Sequence, residues 1–384
     1  MIAFRKRQFW FGRIAAAWRG KSVLWLSGVR RSGKTVLVQA LQGTEYLDCE
    51  LPSVRRLLQQ PEAFLAERRR RTIVLDEVHR LPNPSELLKI ASDHFPDVRI
   101  LATGSSTLGA SRRFRDTLTG RKAELWLTPM MSADLEDFGE KGGLDRRLLR
   151  GGLPPFYLAN EPAREIQEWV DSYWAKDIAE LFRLERRQSF QRFLELLHAQ
   201  SGGVFEATRF ARDCEVSRQT ISNYVAVLEA TFVAHVVRPF SARRATEIIA
   251  APKVYGFDTG FVAQFRGIDR LRAEDRGALW EHYVLNELHA RLQTRAIQYW
   301  RDKRGHEIDF VLRRPGMQPV AIECKAMSAN FDATNLVAFR RAHPKGVNLL
   351  VAPDVAKPFH EMHAGLKIEF VGLEGLIAHA TAKR

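Results

Sequence analysis

Residues 28–35 read Gly28-Val29-Arg30-Arg31-Ser32-Gly33-Lys34-Thr35, a stretch that leaves the chain few folds to choose from. The pattern G-x-x-x-x-G-K-[ST] binds phosphate only where a strand runs into it and a helix leaves it. Both flanks comply. Ser22 to Ser27 is an apolar run suited to a buried strand, and Val36 to Leu41 has helical apolar spacing. The glycines let backbone N–H groups turn toward a phosphate, and the helix start adds positive potential. Gly28, Val29, Arg30, Arg31, Ser32, Gly33, Lys34, Thr35 and Val36 are therefore the candidate nucleotide contacts. Lys34 would reach the β- and γ-phosphates of ATP, and Thr35 would place its hydroxyl on Mg²⁺.

A phosphate loop that hydrolyses also needs a metal-orienting acid and a group to activate water. Thr72-Ile73-Val74-Leu75-Asp76-Glu77 is apolar and β-branched and ends in two carboxylates. It reads as a buried parallel strand that delivers charge at its C-terminal edge, where α/β proteins place ligands. Asp76 would hold Mg²⁺, and Glu77 would act as general base on the attacking water. The strand-like Val98 to Ser106 ends in small polar residues, which makes Thr103 and Ser105 candidates to sense the γ-phosphate. Arg121 follows the helical stretch Arg112 to Leu118 and precedes strand-like Ala123 to Leu127. It is the candidate arginine finger, acting in trans on a neighbouring subunit, with Arg112 and Arg113 as competitors.

The 384 residues suffice for two or three domains. Net charge is +14, and residues 1–150 hold 27 Lys and Arg against 17 Asp and Glu, an excess of ten. Such an excess favours a polyanionic partner, with nucleic acid the first expectation and solubility charge the bland one. Arg68 to Arg71 is the densest run and reads equally as a solvated helix end. Cys49, Cys214 and Cys324 are far apart and odd in number, with no disulfide framework or zinc spacing, which fits a reducing cytoplasm. Arg13 and Arg19 interrupt the apolar N-terminal residues, and no apolar run approaches a membrane span of about 18 residues.

Gly142-Gly143 and Gly151-Gly152-Leu153-Pro154-Pro155 break regular structure, and a domain boundary is expected there. Two helices follow, through 164–184 and 189–200. Ala207 to Leu228 looks like a helix-turn-helix with Ser217 capping the second helix and Ile221, Val225 and Leu228 forming its buried stripe. Thr231 to Val237 would be a wing. Arg218, Gln219, Thr220 and Asn223 would face DNA from the start of the second helix. The alternative is a winged helix used as an ATPase lid or protein interface.

Gly277 to Leu288 is a strong helix whose Glu281 shares a face with Val284, Leu285 and Leu288, whereas Glu287 falls on another face expected at the surface. Strands are expected at 297–301, 307–312 and 320–325. Asp309 and Glu323 would be strand neighbours, with Lys325 on the same face as Glu323. Glu281, Asp309, Glu323 and Lys325 together could hold one or two Mg²⁺ ions for phosphodiester hydrolysis. The same set would also suit a buried ion-pair network or a nuclease fold that no longer cuts.

With these residues assembled, the chain resembles a prokaryotic family of AAA-type ATPases. In that family a winged-helix segment and a domain similar to PD-(D/E)xK nucleases follow the ATPase core. The likeness rests on Gly28–Thr35, Leu75-Asp76-Glu77, Thr103 to Ser106, Gly120-Arg121, Gly151 to Pro154, Lys253 to Gly260, Glu307-Ile308-Asp309 and Ile322 to Lys325. Pro129-Met130-Met131-Ser132 stands where a proline-leucine-serine phrase is expected. The resemblance implies an α/β protein in three parts. These are a P-loop (AAA-type) parallel-sheet ATPase domain at 1–150, a helical and winged helix-turn-helix region at 151–245, and an α/β restriction-endonuclease-like domain at 246–384. It also implies Mg-ATP hydrolysis and a homo-oligomer. The resulting expectation is a cytoplasmic, DNA-associated ATPase, with double-stranded DNA as partner and no membrane. An ATP-gated endonuclease and a regulatory switch that binds a protein partner are the alternatives.

Overall fold

The computed structural model describes residues 6–104, 112–139, 143–178, 186–241, 250–313 and 316–382. Its contacts divide the chain into two discontinuous units. The first takes Met1–Gly143, Gly152–Glu185 and Ala230–Val233, and the second takes Leu144–Gly151, Arg186–Glu229 and Ala234–Arg384.

In the first unit, β1 (Val23–Gly28), β2 (Glu45–Asp48), β3 (Thr72–Asp76), β4 (Arg99–Thr103) and β5 (Lys122–Leu127) form one sheet in the order β2-β3-β4-β1-β5. Every pairing is parallel. A parallel sheet buried on both faces calls for continuous apolar runs, and β1 is buried at all six positions. One face packs Trp25, Ile73, Leu75, Ile100 and Ala102 against Leu87, Leu88 and Phe114. Parallel pairing brings the C-terminal ends of β1, β3 and β4 to one edge, so Gly28, Asp76 and Thr103 share it. The strand expected to reach Ser106 ends at Thr103, and Ser105 lies outside the described residues.

The second unit carries an eight-stranded sheet. In chain order its strands are β6 (Ala234–Pro239), β7 (Lys253–Gly256), β8 (Ile297–Arg301), β9 (Glu307–Leu312), β10 (Val320–Cys324), β11 (Val347–Val351), β12 (Phe359–His363) and β13 (Leu366–Val371). The spatial order is β12-β13-β11-β10-β9-β8-β6-β7. Strands β8, β9 and β10 pair antiparallel, whereas β11 runs parallel to β10. The helix Ala273–Leu292 precedes β8, and the helix Thr334–Ala342 connects β10 to β11. Leu279, Tyr283, Leu285 and Leu288 of the first helix pack on Tyr299, Phe310, Ile322 and Leu349 of the sheet.

Two local expectations change. The strand expected as a wing over 231–237 is β6, which pairs with β7 and β8 as part of the large sheet. Glu287 is fully buried rather than exposed, with Arg291 one helical turn on at 3.7 Å. Nearly every residue from His282 to Ala290 is buried, so this helix has no solvent face there for a single apolar stripe to define.

Candidate nucleotide site and a second acidic cluster

The glycine loop turns as its composition requires. Gly28 has φ 144° and Gly33 has φ 93°, the second capping the Lys34–Gln39 helix. A side chain at Gly28 would run into the Leu127 carbonyl of β5. Lys34 Nζ donates to the carbonyls of Gly28 (3.0 Å) and Val29 (3.2 Å), folded back along the loop. Burial draws the Lys34 ammonium below the ordinary lysine pKa, against Glu77, Asp177 and Asp76, which favour its charge.

Asp76 is 2% exposed, and among the described residues its carboxylate takes hydroxyl donors: Tyr46 at 2.8 Å on one oxygen and Thr103 on the other. Thr103 also accepts the Glu77 N–H at 3.1 Å. Glu77 sits just past β3 with φ 55°, a left-handed backbone that a glutamate rarely adopts and that tends to mark functional sites. His79 Nδ1 lies 3.1 Å from its carboxylate. Burial alone would raise the Glu77 pKa, but the His79 hydrogen bond and the Lys34 and Arg30 charges bring it below the usual carboxylate range. These contacts favour its ionised form.

The loop is braced by residues far off in sequence. Arg30 pairs with Asp177 at 3.2 Å, and Arg31 (φ 61°) pairs with Glu165 at 2.9 Å. Trp169 Nε1 donates to the Arg30 carbonyl at 3.0 Å. Beneath the loop, the buried Arg7 donates to the Ser32 carbonyl at 3.0 Å and pairs with the buried Asp134 at 2.5 Å. Nothing in the local sequence marks Arg7, Asp134, Asp177 or Tyr46 as part of a site. Ser32 Oγ is buried without a hydrogen-bond partner. Strained glycines, an orphaned loop hydroxyl, a lysine and a buried acid on one sheet edge fit a phosphate and its Mg²⁺.

Arg121 Nε instead contacts both Asp93 oxygens, at 2.8 and 3.0 Å. It precedes Lys122, whose register partner is Val23 at the start of β1, so it lies at the sheet edge opposite the loop. The side chains of Arg112 and Arg113 are outside the described residues.

In the second unit, the expected quartet meets at the β9–β10 pairing. Its register (Ile322 opposite Phe310) sets Glu323 beside Asp309, and Asp309 accepts the Cys324 N–H at 2.7 Å. Lys325 Nζ lies 3.4 Å from Glu323, one residue past β10. Glu281 is held by Lys253 Nζ at 3.3 Å and by the Tyr255 hydroxyl at 2.5 Å. Lys253 and Tyr255 had entered only as part of a matching phrase, not as site residues. Asp258 of that phrase caps the Thr259–Phe265 helix through the Gly260 N–H. Lys253 also pairs with Glu307 at 2.6 Å. Burial, with Glu281 and Glu323 adding to it, pushes the Asp309 carboxyl well above the usual range. Burial likewise raises Glu323 to about 7 against the opposing Lys325. Among the described residues no three His, Cys, Asp or Glu side chains gather into a metal-holding group. As arranged, Asp309 answers to a backbone N–H, and Glu281, Glu307 and Glu323 answer to ammonium groups.

The helix-turn-helix residues are as the sequence suggested at the cap, where Ser217 Oγ accepts the Thr220 N–H at 3.0 Å. The Arg218–Ala230 helix buries Ile221, Tyr224, Val227 and Leu228, with Tyr224 and Val227 in place of the expected Val225. Arg218, Gln219 and Asn223 are exposed and Thr220 is half-buried. Gln219 donates to Asn223 at 3.1 Å.

Residues 20–135 match a family described as "AAA domain". With the loop geometry above, they form an AAA-type P-loop ATPase domain. Residues 141–272 and 276–364 match two families described as domains of unknown function (DUF8612 and DUF4143). Uncharacterized proteins of Mycobacterium tuberculosis and Mycobacterium bovis are each 28% identical over 328 residues, covering 82% of this chain and 73% of theirs. Among solved structures, a STAND-class signal transduction ATPase with a tetratricopeptide repeat sensor from Pyrococcus horikoshii is similar at 10% identity and a TM-score of 0.28. The match covers 73% of this chain and 46% of that one, so the chain spans less than half of it, and a score this low carries no argument. Among the described residues no helix is long and apolar enough to cross a membrane.

Proposed function

We propose that this protein is a Mg²⁺-dependent ATPase that acts on double-stranded DNA as a homo-oligomer. The observation that carries the reading is the shared sheet edge, where the Gly28–Thr35 loop, buried Asp76 and the adjoining Glu77 stand together. Mg²⁺, when bound, would supply positive charge to offset the negative charge that develops on the phosphate. The loop N–H groups from Gly28 to Val36 bind phosphate oxygens, and Lys34 swings from the Gly28 carbonyl to the β- and γ-phosphates. Thr35 and Asp76 supply the oxygens that hold the metal. Glu77 orients a water and takes its proton at the carboxylate, while Thr103 keeps the Glu77 backbone in place. Arg121 would serve a neighbouring copy's site, because its own lies at the opposite sheet edge.

The DNA part of the proposal is supported by the +14 net charge and by exposed Arg218, Gln219 and Asn223 at one helix start. The second unit runs helix, three antiparallel strands, helix, parallel strand, which supports its likeness to PD-(D/E)xK nucleases. Its lysine-paired carboxylates favour a DNA-binding module over a cutting one. The test is ATP turnover with Mg²⁺, with and without double-stranded DNA, beside a Lys34→Ala control, with the DNA then run on a gel. Turnover stimulated by DNA that stays intact supports the proposal. Turnover indifferent to DNA removes the DNA part and favours a protein partner, and cut DNA favours the endonuclease.

A further inference from the structure

Lys253 is an unusual residue to find inside a sheet. It opens β7, is 4% exposed, and shares a strand face with Tyr255 two residues on. A buried ammonium is tolerated only when other groups satisfy it. Two carboxylates do so from two other elements: Glu281 on the Ala273–Leu292 helix at 3.3 Å and Glu307 at the start of β9 at 2.6 Å. The rings of Tyr255 and Tyr299 lie 5.6 and 5.8 Å from its nitrogen, within cation–π range.

This is the surrounding a hard cation would have: oxygens from separate elements, held rigid from behind. Tyr255 fixes the oxygen of Glu281 that faces the lysine. Arg301, 3.6 Å away, holds the other oxygen of Glu307. Deeper in, Glu323 is 1% exposed, and its Oε1 has no hydrogen-bond partner at all. Glu323 follows Ile322, whose register partner is Phe310, so it stands next to Asp309 in the β9–β10 pairing. The acidic group therefore keeps one buried oxygen unspent.

We infer that Lys253 is a built-in counter-cation standing where a divalent metal ion would bind, and that removing its ammonium converts the Glu281–Glu307 bracket into a metal site. Divalent ions demand several oxygens free to approach at once. The ammonium takes one oxygen from each carboxylate and carries its own positive charge into the same space. A metal must therefore expel a buried charge before it can bind. The inference concerns the second unit alone and stands whether or not the first unit hydrolyses ATP.

The test is Mn²⁺ titration of the nucleotide-free full chain by calorimetry, with thermal melts at the same Mn²⁺ concentrations. Lys253→Met keeps most of the side-chain volume and removes the charge. It should bind Mn²⁺ at least about tenfold more tightly than the wild type, and its melting temperature should rise with Mn²⁺ where that of the wild type does not. The gain should vanish in Lys253→Met/Glu281→Gln, which separates this site from the phosphate loop. Wild-type binding that Glu281→Gln abolishes would overturn the inference, as would a Lys253→Met protein that binds no better than the wild type. Should Lys253→Met not fold, Lys253→Gln is titrated with Mn²⁺ in its place, and binding no tighter than that of the wild type overturns the inference.

Discussion

The two acidic sites of this chain solve the same electrostatic problem in opposite ways. Asp76 and Glu323 are both buried, at 2% and 1% exposed. Asp76 is satisfied by neutral hydroxyls, those of Tyr46 and Thr103, which stabilise its charge without cancelling it. The carboxylates of the second unit are satisfied by ammonium groups, Lys325 on Glu323 and Lys253 on Glu281 and Glu307. A hydroxyl-held carboxylate still presents a full negative charge to a metal, whereas an ammonium-held one is already neutralised. The identity of the donor, more than the presence of acids, separates a carboxylate held by neutral groups from one paired with a cation.

The sharpest way to break the comparison is at Glu77. Glu77→Gln keeps the size of the side chain and removes its proton-accepting charge. ATP turnover should fall by at least about 10²-fold while nucleotide binding persists, since a general base contributes about 10²–10⁴. Turnover near the wild-type rate would leave the first site without its distinguishing chemistry. Within the first unit the ionic solution also appears, beneath the loop. Arg7→Ala would strand the buried Asp134 and should lower stability by about 3–5 kcal/mol, read by denaturant melts. A loss below about 1 kcal/mol would mean that the pair is not what supports the loop.

Much of this was readable from the sequence, and the rest was hidden for definite reasons. The Gly28–Thr35 pattern fixes its own backbone, so the loop, the strand before it and the acids of β3 could be placed. The expected bounds of β8 and β9 coincide with the observed strands because alternation and turn residues are local signals. Lys253 had no such signal. Its partners lie 28 and 54 residues away, and only the order of the sheet brings them together. Arg7 is similarly joined to Asp134 across 127 residues. Glu287 was misassigned because a helix buried on nearly every side has no polar face to reveal.

Acidity offers a gentler probe, because the two sites respond with opposite sign. The Glu77 pKa is lowered on folding, so its contribution is present above the ordinary glutamate pKa and is lost as the pH falls. Glu323 is raised to about 7 from an ordinary 4.5, so the folded state holds the extra proton between those values. Its contribution is therefore complete below about pH 4.5 and is lost as the pH rises toward 7. The slope from one such group cannot exceed about 1.4 kcal/mol per pH unit. Stability measured from pH 5 to 7 should flatten on the alkaline side in Glu323→Gln. An unchanged profile would mean that Lys325 already keeps Glu323 ionised.

The smallest effect belongs to a single hydroxyl. Tyr46→Phe removes one of the two donors to Asp76 and leaves Thr103 as the other. A neutral hydroxyl facing a charge that still has another donor should be worth about 0.5–1.5 kcal/mol, a shift of a few degrees in melting temperature. Turnover should stay within about tenfold of the wild type, because Thr103 still holds the carboxylate in place. Loss of turnover as deep as that of Glu77→Gln would show that Tyr46 does more than hold Asp76. The first site would then depend on its hydroxyls as strictly as the second depends on its lysines.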